Sequence, residues 1–519
     1  MNRTKNASRN MFFGVILKMV TLLVPFILRT ILIRTLGIEY IGLGSLFTSI
    51  LQVLNLAELG ISSAIVYSMY GAIASKKDEE ICQLMNLYKK IYRVIGLVVL
   101  ALGFLILPFL RFFISGDVPA DTNIYILYSV YLINTCLTYF LFAYKSCLFT
   151  AHQRNDVISK VSIFVSLLTY ILQGLFLILF KNYFFYVIVL PVTTIVNNLV
   201  ISYACSKQYP QYVARGLVSE QIKKDIKQKV LSLFIYKIGG IVLISVDTIV
   251  ISAFLGLNVL GKYNNYYYII TSLFGFFEVY YSSITAGVGN SIKLESKKKN
   301  KMDFDRLFVL QGFIVSWSTT CLFCLYQPFM RIWVGENLMF PLSLVINLTI
   351  LFFVWKIMDV INIYKNAAGL WNHDKWRPLV ASILNLSLNL VLVNIIGIYG
   401  IVVSTIISIV VVIFPWSSFV LFKYYFNEGN YKKSFVIYVV KVFVFLLITI
   451  VSSLVTFFIT KIIPEASIWY LLLRALVCSL VPLMFLICVM PFFKEYDDTK
   501  GWLTIRVKSL VNRNEKNSI

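Results

Sequence analysis

The sequence predicts an all-α polytopic membrane protein with about fourteen transmembrane helices, two related six-helix halves and two further C-terminal helices. Three observations carry that prediction. Of the 519 residues, 59% are hydrophobic and mean hydropathy is +0.81, more apolar than a soluble core requires. Lys and Arg collect in alternate connections between apolar runs. Charged residues inside those runs recur at a fixed offset, which chance matching of apolar residues does not produce.

Runs long enough to cross a bilayer fall at 11–36, 41–70, 88–114, 123–150, 157–180 and 184–206 in the first half. The second half has 231–256, 261–292, 307–332, 340–370, 379–397 and 400–425, and two more follow at 435–460 and 467–493. The first run is too long for a signal-peptide core and no small-residue cleavage site follows, so it is expected to stay. With this count, 35 of the 47 Lys and Arg residues fall on the side of the two ends and 6 on the other. The positive-inside rule then puts both ends in the cytoplasm of a plasma membrane. The domain organisation is a first lobe over 1–215, a second over 216–430, and a last pair with a cytoplasmic tail over 431–519. The lysine run at 297–301 reads as a positive-inside loop, with anionic lipid headgroups as an alternative partner.

The net charge of +23 suggests nucleic acid. Its distribution excludes that partner, because the basic residues sit in short loops. Cys321 and Cys324 form a C-x-x-C with no second pair, so packing is expected there and neither metal nor redox chemistry. His152 and His373 follow spans four and ten without a frame of other ligands, and read as loop residues. No G-x-x-x-x-G-K-[ST] loop occurs, which argues against direct ATP drive. Outer connections are short, whereas a membrane-embedded polymerase or glycosyltransferase needs a sizeable outer loop for its chemistry.

The first span carries Lys18 and Arg29, eleven residues apart, hence on one face and about 16 Å apart along the axis. It ends at Leu36-Gly37, with Gly42 beyond. The seventh repeats this: Lys237, Leu255, Gly256 and Gly261 are Lys18, Leu36, Gly37 and Gly42 plus 219. After a one-residue slip, Glu278, Ser282 and Ser283 are Glu58, Ser62 and Ser63 plus 220. Such an internal duplication is a common plan among secondary transporters.

These features resemble the polysaccharide flippases of the multidrug/oligosaccharidyl-lipid/polysaccharide exporter superfamily. The Leu-Gly corners carry the resemblance, as do Gly397-Ile398-Tyr399-Gly400 leading to Ser404-Thr405, and the span bearing Asn385, Asn389 and Asn394. It covers roughly residues 8–493. It implies a V-shaped bundle of two lobes around a central cavity that opens to either side in turn. The substrate implied is an undecaprenyl-linked oligosaccharide for capsule or other surface polysaccharide, with a polymerase and assembly proteins as further partners. Spans thirteen and fourteen point away from the drug-exporting branch.

A lipid-linked sugar carries phosphate, and cations within spans suit it. The candidates are Lys18, Arg29, Lys237 and Lys356, with ion pairing as the structural alternative. Lys356 and Asp359 lie three apart and are close enough to pair. The intramembrane acids Glu58, Asp247, Glu278 and Asp359 are candidates for H+ or Na+ coupling, or for gating ion pairs. No other cofactor is expected. Arg474 and Lys441 lie near span ends and are expected to snorkel. Alternatives are a lipid II or teichoic acid precursor flippase, a cation-coupled small-molecule exporter, and the membrane enzyme.

Overall fold

A bilayer offers no water to backbone N–H and C=O groups, so spanning segments must close their hydrogen bonds within themselves. The computed structural model describes residues 3–58, 60–427, 430–464 and 467–493, and every regular element among them is a helix. In order these are α1 (Arg3–Thr35), α2 (Glu39–Leu54), α3 (Ile61–Ala74), α4 (Asp78–Ile106), α5 (Ile124–Phe140), α6 (Ser146–Ala151), α7 (Asn155–Phe180), α8 (Tyr183–Gln208) and α9 (Glu220–Leu294). There follow α10 (Lys297–Trp333), α11 (Leu342–Lys356), α12 (Asp359–Ala367), α13 (Trp371–Asp374), α14 (Arg377–Ile396), α15 (Ile398–Ser408), α16 (Phe414–Tyr424), α17 (Tyr431–Thr460) and α18 (Ile468–Val489).

Among the described residues eleven helices are long and apolar enough to cross a membrane, or twelve if the bent pair over 124–151 is one span. The expected count of fourteen is not reached, for two local reasons. The second expected span breaks at Asn55–Glu58 and Gly60, leaving the shorter helices α2 and α3. Spans seven and eight fall within one apolar stretch of 57 residues in α9. At 1.5 Å per residue that is roughly 85 Å, well beyond a bilayer core of about 30 Å. Its helix is interrupted at Gly256 (φ +83°), where the sequence places a corner.

The chain forms two compact units, one of residues 1–276 and 378–404, the other of 277–377 and the residues from 405 onward. The lobes 1–215 and 216–430 follow the sequence repeat instead, and that division stays a proposal. In the first unit α1 packs along α7, and α8 along α5 and α7. In the second unit α10 is the hub for α11, α17 and α18. Small and hydroxyl side chains bring the last two helices onto it. Phe445 lies against Gly312, Thr449 donates to Ser316 (2.8 Å), and Trp317 Nε1 donates to the Ser479 carbonyl (2.9 Å). Close approach and interhelical hydrogen bonds substitute here for a hydrophobic drive that lipid cannot supply. Cys321 donates to the Cys478 carbonyl (3.0 Å), in keeping with packing. Arg474 does not snorkel: it is 5% exposed and its Nε donates to the Ile463 carbonyl (3.1 Å). Lys441 lies 3.7 Å from Asp305.

Each unit carries a buried acid clamp in the connection after span four or ten. Asp156, fully buried, meets Arg9 (2.7 Å), Arg154 (2.9 Å) and Lys160 (3.7 Å). The hydrogen bond to Asp156 holds the Arg154 guanidinium above its ordinary pKa. Asp374, also fully buried, pairs with Lys365 and with Arg377 (2.8 Å), and Lys365 also donates to Ser417 (3.2 Å). The two histidines brace the same connections. His152 stacks on Tyr209 (4.5 Å between ring centres) and His373 packs on Tyr424 (3.9 Å). Burial pushes the His152 imidazole below its ordinary pKa, against a smaller opposing pull from Asp78. Its buried Nε2 has no hydrogen-bond partner, so a proton there is poorly solvated.

Asp374→Asn leaves Lys365 buried without a counter-charge and is expected to cost about 3–5 kcal/mol, read as a lowered Tm of the purified protein in detergent; an unchanged Tm overturns the clamp. Because the folded-state pKa of His152 is lowered, its contribution is complete above the ordinary imidazole range and is lost as pH falls through the folded value. His152→Phe keeps the ring stack without the titration, so the acid-induced fall in Tm should shrink. Superimposable pH profiles of the two proteins contradict this.

Candidate functional site

The first unit holds an open cavity of about 480 Å³ lined by α1, α2, α5, α7, α8 and α9. Among the described residues its lining holds one cation, Arg29, and seven tyrosines, Tyr40, Tyr131, Tyr170, Tyr183, Tyr186, Tyr267 and Tyr268. Gln52, Gln173, Asn264 and several hydroxyl residues add to the polar surface, and among the described residues no Asp or Glu lines it. Helical spacing explains this concentration. Arg29 shares a face of α1 with Pro25, Leu28 and Leu32, while Tyr183 and Tyr186 stand one turn apart on α8. Asn264 places Tyr267 and Tyr268 by the same spacing on α9.

Arg29 is held by neutral groups. Its Nη1 donates to Asn265 Oδ1 (3.2 Å) and to the Asn264 carbonyl (3.4 Å), and its guanidinium lies 4.3 Å from the centre of the Tyr268 ring. A cation on an aromatic face with amide acceptors is oriented without being neutralised. Asn265 is fully buried and its Nδ2 has no hydrogen-bond partner. Around the wall Tyr131 and Tyr183 share a hydrogen bond (3.0 Å), and Gln173 donates to the Tyr186 carbonyl (3.2 Å). The arrangement offers one planar donor for an oxyanion, flat rings for apolar faces of sugars, and amides and hydroxyls for their edges.

The other sequence candidates lie elsewhere. Lys18 does not line this cavity, and its stem crosses Gly275, whose added Cβ would stand 2.7 Å from Lys18 Cε. The side chain of Lys237 lies outside the described residues. Lys356 lies in the second unit, 6% exposed, bonded to Asp359 (2.7 Å) and 5.6 Å from the ring centres of Phe277 and Tyr281.

The acids divide as well. Glu58 sits in the break of the second expected span, where it accepts from Tyr92 (2.5 Å) and Tyr139 (3.0 Å), with Tyr88 donating onward to Tyr92 (2.5 Å). Asp247, 7% exposed, accepts from Asn389 (2.6 Å), which the same Nδ2 links to Asn385 (3.2 Å). Glu278 is exposed on α9 in the second unit. Sequence reasoning named none of the seven lining tyrosines as site residues; the Tyr183/Tyr186 and Tyr267/Tyr268 spacings are the local signals that could have pointed to them. Among the described residues no group of three or more His, Cys, Asp or Glu is placed to hold a metal ion.

No curated protein sequence matches the chain. Among solved structures it is similar to a lipid II flippase, MurJ, in an inward-closed conformation, with TM-score 0.62 and 15% identity over 92% of this chain and 99% of that one. It is also similar to an inward-facing multidrug resistance MATE transporter of the MOP superfamily, with TM-score 0.55 and 13% identity over 78% and 94%. The Vibrio cholerae MATE transporter VcmN gives TM-score 0.54 and 13% identity over 83% and 99%. At these identities the likeness is one of fold. A family profile described as "Polysaccharide biosynthesis protein" matches residues 7–286, more than half of the chain. The protein belongs to that polysaccharide biosynthesis family, and its helices adopt the fold of MOP-superfamily transporters.

Proposed function

We propose that the protein is a flippase that carries an undecaprenyl-(pyro)phosphate-linked oligosaccharide from the inner to the outer leaflet of a bacterial plasma membrane. Alternating access is the mechanism, and capsule or another surface polysaccharide is the product served. The observation that carries this reading is the cavity whose described lining residues include one arginine, seven tyrosines and no carboxylate. An anionic head group finds a counter-charge there and its sugars find rings and amides. The polyprenyl tail remains in lipid. A cationic small molecule would find no acid in that lining, which weighs against the exporter reading. A lipid II or teichoic acid precursor fits the same chemistry and is the second reading.

In this scheme Arg29 takes the phosphate. Lys18 and Lys237, on helices related by the repeat, and Lys356 are the further cation candidates. Both ends lie in the cytoplasm, as the charge asymmetry suggests, and a polymerase outside receives the product. Direction comes from an ion gradient or from consumption of product. Glu58, Asp247, Glu278 and Asp359 are the coupling or gating candidates, Glu58 foremost, because tyrosine hydroxyls hold it at a helix break.

Depleting the protein should leave single polyprenyl-linked repeat units protected on the inner face from a membrane-impermeant glycosidase; single units exposed outside would instead mean that flipping continues. Arg29→Ala removes a charge-assisted contact of about 1.5–3 kcal/mol and should slow transport roughly ten- to hundredfold. Arg29→Lys, which keeps charge and loses the planar fork, should fall between. Full activity of Arg29→Ala would assign the arginine a structural role. Glu58→Gln should reduce the dependence of flipping on the ion gradient if Glu58 couples, and an unchanged dependence excludes it.

A further inference from the structure

We propose that the two glycine corners, residues 37–42 and 256–261, interlock as the outer gate of the transport path, latched by Glu39 and Asn258. The contact is within the first unit. A Cβ added at Gly42 would overlap the backbone carbonyl oxygen of Leu257, and one at Gly261 that of Ile38. The partners obey the repeat: Leu257 is Ile38 plus 219 and Gly261 is Gly42 plus 219. Each corner therefore touches the other through equivalent backbone atoms, the mark of a self-complementary contact about a two-fold axis. The corner residues Gly37 (φ +117°) and Gly256 (φ +83°) share the left-handed backbone that turns each chain into the contact.

The latch obeys the same offset. Asn258 Nδ2 donates to Glu39 Oε1 at 2.7 Å, and Asn258 is Glu39 plus 219. On the flank the backbone N–H of Ser115 donates to the Ser252 carbonyl (2.9 Å). A second recess of about 510 Å³, lined among others by Glu39, Asp117, Asp121 and Asn258, lies beyond the corners. Tyr40, 7% exposed, lines both that recess and the arginine cavity. The interlocked corners and Tyr40 are thus the partition between two spaces. A head group passing from one to the other must part them. The naming of the recess as the outer side rests on the flippase reading and its orientation.

A wall that opens must be stable yet separable. Close backbone contact gives a seal without side chains to withdraw, and a single charge-assisted hydrogen bond can exchange for water at little net cost. Any side chain at Gly42 or Gly261 holds the two backbones apart.

The test uses the full-length protein in cells, with native cysteines replaced and Ser45→Cys in the cavity wall as reporter for a membrane-impermeant maleimide applied outside. Gly42→Val or Gly261→Val should raise labelling roughly tenfold, since the open form is no longer the minor state. Unchanged labelling with normal protein levels overturns the gate. Glu39→Cys with Asn258→Cys, oxidised, should suppress labelling and stop transport, and reduction should restore both. A cross-linked protein that labels and transports like the reduced one also overturns the gate. Labelling that follows the gate variants while lipid-linked sugars remain unaffected would uphold the gate and sink the flippase substrate instead.

Discussion

Taking a charge or a peptide group out of water costs several kcal/mol unless something in the protein replaces the lost solvation. Each intramembrane charge with described contacts answers that demand differently. Lys356 is neutralised by Asp359, and Lys365 by Asp374. Asp247 is held by an asparagine ladder and Glu58 by tyrosine hydroxyls. Arg29 has amides and an aromatic face, and so keeps its charge while facing a cavity. The type of partner separates charges that hold the fold from those able to meet an outside ion.

The same constraint governs how helices meet. Without a hydrophobic drive between spans, contact relies on small residues and hydroxyls. Gly312 under Phe445 and the Thr449–Ser316 bond place the last two helices on α10. Glycines at the duplicated corners permit backbone contact without side chains. The buried aspartates at the connections after spans four and ten tie each unit together through ion pairs, whereas the cavity wall is held by hydrogen bonds to neutral groups.

Much of this was legible in the residues. The helical class, the Leu-Gly corners and the 219-residue offset are local or periodic signals, and the structure displays them. What escaped depends on contacts between residues far apart in sequence. Tyr131, Tyr170 and Tyr183 come from three helices, and no pattern within one helix shows that they face one space. His152 and His373 read as loop residues because the tyrosines beneath them lie roughly fifty residues on. Arg474 reads as a snorkelling side chain until the Ile463 carbonyl is seen within reach. The break at Asn55–Glu58 has no proline to announce it, and Gly60 alone is a weak sign inside an apolar run.

The hydrogen bond between Glu39 and Asn258 has a historical consequence. In a symmetric dimer of half-length chains, a residue beside the axis faces its own copy. Two glutamates would repel there, and two asparagines would bond without charge. Once both copies belong to one polypeptide, the two positions can diverge, and a carboxylate can face an amide. An internal duplication thus makes available a complementary pair that a symmetric homodimer cannot place beside its axis.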